Sequence, residues 1–95
     1  MVDYNMKQET IKKINKILFV LKETQDWLHL REISRRTGIH HQTISEILDK
    51  YLNQFVLIQN FEEYGLKLKL VKLKDKKVDL KSVLTYLKYM KKIEE

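Results

Sequence analysis

His40, His41, Gln42, Thr43, Ser45 and Glu46 gather hydrogen-bonding side chains into one short segment, broken only by Ile44 and followed by Ile47 and Leu48. At helical spacing the three apolar residues share a buried face, and the polar ones are left outward. Such a set suits the edges of nucleobases. Gln42 can bond bidentately to adenine, His41, His40 and Ser45 can donate to base edges or phosphates, and Thr43 can cap the helix or touch a phosphate. Glu46 can accept from a cytosine amino group but repels phosphate, and Lys50, four residues on, is its expected ion-pair partner. Other chemistries find little here. His40 and His41 are adjacent, so on a helix they point about 100° apart and make no natural metal pair. His29 is remote in sequence, and the absence of cysteine excludes thiolate ligands and disulfides. There is no glycine-rich phosphate loop, nucleophile motif or clustered carboxylate pair. Neither catalysis, nor a metal, nor a cofactor is expected.

The elements that position this segment are legible around it. Leu30 to Leu52 reads as two helices, about Leu30–Thr37 and His41–Leu52, joined by a sharp turn at Thr37-Gly38-Ile39. Gly38 is one of only two glycines in the 95 residues. A glycine just past a helix end takes the left-handed backbone without a Cβ penalty. Ile33, Ile39, Ile44, Ile47 and Leu48 fall where the helices face each other, and Ser34 is small where they approach. This is a helix-turn-helix pattern, in which the second helix lies in the DNA major groove.

Before it, Asn5 and Gln8 have capping-box spacing, and Ile11, Ile14, Ile17, Leu18 and Leu21 recur as a helix to about Thr24. Gln25-Asp26 reads as a polar connection, and Trp27–Leu30 as a short edge strand. After it, Asn53 suits a helix exit. Phe55–Phe61 is β-branched and aromatic, Glu62–Gly65 is a turn, and Leu66–Leu73 alternates Leu with Lys before its phase shifts at Leu70-Val71, which predicts a bulge or a switch of buried face. Asp79 is a good N-cap for a last helix over 79–94. Its stripe is Leu80, Val83, Leu84, Leu87 and Met90, ending near Ile93, with Lys88, Lys91 and Lys92 set against the helix dipole. A helix of that length is marginal alone, so the stripe must bury itself against a second copy, giving a homodimer, or against the first helix.

The chain therefore reads as one domain over 1–95, mainly α with a small β-hairpin, in the order α-β-α-α-β-β-α. In this it resembles the winged helix-turn-helix superfamily of small bacterial and archaeal transcriptional regulators. The resemblance covers about residues 5–74 in element order and is specific across Leu30–Leu52. It implies double-stranded DNA as partner, the third helix in the major groove, and Arg35 and Arg36 on the DNA backbone. Helix-dipole pairing, about 0.3–1 kcal/mol each, is compatible with that role. The hairpin would be the wing. Its tip carries Glu62 and Glu63, unlike wings that push Arg or Lys into the minor groove, so Lys67 and Lys69, on the polar face of the returning strand, become the phosphate candidates, together with Thr43 and Lys50.

Charge points the same way. The formal net charge is +6, which favours a polyanionic partner. Residues 1–65 carry nine Lys/Arg and nine Asp/Glu, whereas residues 66–92 carry ten Lys against two Asp. A phosphate clamp must draw on that last third, aided by Arg31, Arg35 and Arg36. No run approaches the roughly 18 apolar residues of a membrane span, and the start of the chain has no signal-peptide apolar block. A cytoplasmic, nucleoid-associated address is expected, with no small-molecule ligand inferred. The lack of Ala and Pro beside heavy Lys, Ile and Leu resembles the products of AT-rich genomes, many of them archaeal or viral. The nearly neutral third helix and the acidic wing tip also fit a protein-interaction module that does not bind DNA. A non-specific DNA-compacting protein is a third reading.

Overall fold

A computed structural model describes residues 7–24 and 26–94, with side chains through Met90. Asn5 and Gln25 lie outside the described residues, as do the side chains of Lys91, Lys92 and Ile93. Helix α1 (Gln8–Glu23) has Lys7 at its cap position with no side-chain cap bond, so Gln8 opens the helix. Strand β1 (Leu28–His29) follows, then α2 (Leu30–Thr37), α3 (His41–Lys50), β2 (Val56–Asn60), a single 3-10 turn (Glu62–Tyr64), β3 (Lys69–Leu73) and α4 (Leu80–Glu94). The fold is mostly helical, with one antiparallel sheet in the order β1-β3-β2.

The α2–α3 turn shows how few residues fix the angle between two helices. Gly38 takes φ 76° and donates its N–H to Ser34 O at 2.9 Å, closing α2. Ser34 does more than stay small: its Oγ donates to Ile39 O at 2.5 Å. Thr37 Oγ1 donates to Ile33 O at 2.7 Å and accepts from Ile39 N at 3.2 Å. A Cβ added at Gly38 would meet nothing within 4 Å, so the backbone angle alone demands glycine. Gly38→Ala is therefore expected to cost about 1–2 kcal/mol in denaturant unfolding, and Gly38→Asn distinctly less, because Asn tolerates this conformation. Equal losses for Ala and Asn would argue against the backbone account.

The core draws on every helix and strand. Ile14, Ile17, Leu18 and Leu21 of α1 meet Ile33 of α2, Ile44 and Leu48 of α3, Leu52, Val71 of β3 and Val83 of α4, all buried. Helix α3 ends at Lys50, earlier than its apolar pattern suggests. Tyr51 and Leu52 both turn their N–H groups to Ile47 O, which drives Leu52 into the core from the turn after the helix.

The hairpin register runs unbroken from Val56 opposite Leu73 to Asn60 opposite Lys69. Of the two alternatives expected at Leu70-Val71, a bulge or a switch of buried face, the bulge is absent: β3 begins only at Lys69, the earlier leucines belong to the hairpin tip, and the buried residues of the strand are Val71 and Leu73. Period-two alternation then puts Lys69 on the inner face with the buried Val71 and Leu73, correcting its expected place on the outer, polar face.

Helix α4 starts where expected: Asp79 Oδ1 accepts from Ser82 N at 2.9 Å and Ser82 Oγ at 2.8 Å. These bonds hold the Asp79 carboxyl below its usual range. The stripe expected for a partner copy divides. Val83 is fully buried within its own chain, and Leu80 and Leu87 pack on the same core. Tyr86 meets Phe55 edge-on, with ring centroids 5.3 Å apart. Because α1 offers a flank for α4 to lie on, Val83 is not available to a second copy. Leu84 and Met90 stay half-buried.

Candidate nucleic-acid interface

Helix α3 presents its first turn outward. Its cap is His40, whose extended backbone lets the imidazole turn back so that Nδ1 accepts from Gln42 N at 3.1 Å. His29 does the same for α2, accepting from Arg31 N at 3.1 Å. Sequence reasoning missed both caps, because the preferred N-cap types are Ser, Thr, Asp and Asn. The finding also revises His40. It precedes the helix rather than lying on it, its ring stacks on His41 at 4.5 Å instead of pointing about 100° away, and its Nδ1 is engaged by the backbone. His41 and Gln42 remain exposed.

A groove of about 360 Å³ connects three elements: His41, Gln42 and Ser45 of α3, His29, Leu30 and Arg31 around the start of α2, and Asn60, Glu62 and Lys67–Lys69 of the hairpin. It gathers the base-contact candidates His41, Gln42 and Ser45 with the phosphate candidates Lys67 and Lys69. It also brings in His29 and Asn60, which the sequence did not mark as contacts, and Glu62 of the acidic hairpin tip. The hairpin is tied to the helix, since Lys69 Nζ donates to Ser45 Oγ at 3.0 Å. Both groups are thus partly committed to each other, whereas Lys67 is exposed.

On the other flank of α3, Thr43, Glu46, Ile47 and Lys50 line a smaller groove with Thr10, Lys13 and Tyr51. Lys50 Nζ lies 5.6 Å from the centroid of the Tyr51 ring. The expected Glu46–Lys50 ion pair does not form: among the described residues the salt bridges are Arg35–Glu32 and Arg36–Glu32. Arg35 Nε donates to Glu32 Oε1 at 3.1 Å and its terminal nitrogen to Oε2, while Arg36 Nε donates to Oε2 at 2.8 Å. The hydrogen bonds from Arg35 and then Arg36 lower the Glu32 pKa to about 2. The i,i+3 and i,i+4 spacing held this signal in the sequence.

Among the described residues no polar or charged side chain is buried, and no three His, Cys, Asp or Glu residues cluster to hold a metal. What the surface offers is a set of exposed donors, acceptors and cations around one helix end. No helix among the described residues is long and apolar enough to cross a membrane. The chain matches no family model, no curated protein and no solved structure.

Proposed function

We propose that the chain is a winged helix-turn-helix that binds double-stranded DNA in a sequence-directed way, as a transcriptional regulator acting at the nucleoid. On this reading α3 enters the major groove, Gln42 and His41 meet base edges, and Ser45 lies beside them. Lys67, Lys69, Arg31, Thr43 and Lys50 face phosphates on its two flanks, with Arg35 and Arg36 at the end of α2. The observation that carries the proposal is the groove joining the exposed first turn of α3 to the cationic hairpin and the start of α2. A second copy, if it docks through Leu84 and Met90, would set two reading helices roughly 34–36 Å apart.

Selection of bound sequences from random duplex tests the reading. The wild type is expected to enrich a motif. Gln42→Ala should lose preference at one position, worth about 1–3 kcal/mol of discrimination, while keeping its phosphate affinity. The same selection with His41→Ala locates its contact. Failure of the wild type to enrich any motif would sink the sequence-directed reading, and equal binding to all duplexes would point to a compacting protein. One observation favours a second reading, a winged-helix protein-interaction module: Glu62 lines the main groove and Glu46 the smaller one, both on flanks that would meet phosphate. That module would show no duplex binding.

A further inference from the structure

Arg35 and Arg36 are consecutive, yet both fold back onto Glu32, so one carboxylate holds two guanidinium groups. The cluster is at the surface: the arginine side chains are 72% and 39% exposed and that of Glu32 is 27% exposed. It therefore offers a passing polyanion one net positive charge where the arginines alone would offer two.

We propose that Glu32 is an internal competitor for DNA phosphate, a brake that limits how strongly the arginine pair of α2 grips duplex of any sequence. The inference rests on the reading above, that the chain binds duplex DNA. A carboxylate and a phosphate present similar acceptor geometry to a guanidinium. Each arginine has five N–H donors, so both keep donors for a phosphate while bound to Glu32. The competition thus lies chiefly in charge. Arginine–phosphate contacts carry no sequence information, and by weakening them Glu32 lowers the non-specific term while leaving base contacts at α3 untouched. Because the sequence-directed complex uses the same arginine contacts, Glu32 lowers the affinity for every duplex by a similar factor.

The test is a fluorescence-anisotropy salt series on the full chain with a random-sequence duplex, comparing wild type, Glu32→Gln and Glu23→Gln. Glu23 closes α1 and lines neither groove, so its variant removes the same charge elsewhere. Glu32→Gln is expected to steepen the plot of log K against log salt by about 0.9, and so to bind about eightfold tighter at roughly 0.1 M salt, as one more neutralised phosphate would. Glu23→Gln is expected to stay within about twofold of wild type, because Glu23 pairs with neither arginine and lines neither groove. Equal or weaker binding by Glu32→Gln, or equal tightening by both variants, overturns the proposal. A wild type without salt-dependent duplex binding removes the DNA reading itself. A wild type that binds beside an unresponsive Glu32→Gln removes the brake alone.

Discussion

Raising the salt from 50 to 200 mM is expected to weaken duplex binding by between about 10²- and 10³-fold. The candidate phosphate contacts are Arg31, Arg35, Arg36, Lys50, Lys67 and Lys69, and Glu32 offsets one of these charges. Five net contacts give a slope of about −4.5 in log K against log salt, or roughly 500-fold over a fourfold change in salt. The hydrogen bond from Lys69 to Ser45 pulls the value toward the lower end of the range. Anisotropy titrations at fixed temperature measure it. A slope near zero would remove DNA as the partner, and a slope about twice as steep would mean that two copies engage one site.

The largest effect on the fold is expected from Leu48→Ala. Leu48 is fully buried beneath the outward face of α3. Truncating such a residue costs about 2–5 kcal/mol, through lost burial and the cavity left behind. A chain of this size is stabilised by roughly 5–14 kcal/mol in total, so one substitution takes a large share and lowers Tm by about 10 °C or more. Gln42→Ala, six residues earlier on the exposed face, is expected to change stability by no more than about 0.5 kcal/mol. Urea unfolding of the two variants separates anchoring from contact. A Leu48→Ala chain as stable as wild type would mean that α3 is not held from below.

What the sequence made legible followed local periodicity. Ile33, Ile44 and Leu48 recur at helical spacing, Gly38 stands where the chain reverses, and Asp79 precedes an apolar stripe, so α2, α3 and the start of α4 could be read directly. The contact between Lys69 and Ser45 could not, because 24 residues separate them and only the hairpin register brings them together. The hairpin misled for a related reason. Alternation over Leu66–Leu70 looks like a strand, but pairing with β2 starts at Lys69 and reverses which residues face inward. The histidine caps were hidden because imidazole is an unusual acceptor at that position. Glu32 is readable from its i,i+3 and i,i+4 spacing to Arg35 and Arg36. For α4 the pattern showed that a face must be covered, while its neighbour followed from the tertiary arrangement, which packs Val83 into the chain's own core.

Lys76 carries a wider consequence. Its ammonium reaches across the molecule to the end of α1, donating to Leu21 O at 3.2 Å and Lys22 O at 3.5 Å. There it answers the negative pole of that helix's aligned peptide dipoles. Lys72 likewise lies above the indole of Trp27, 5.9 Å from the ring centroid. Formal charge along a basic tract thus overstates what a polyanion would meet, since some of those ammonium groups serve as internal mortar between distant parts of the chain.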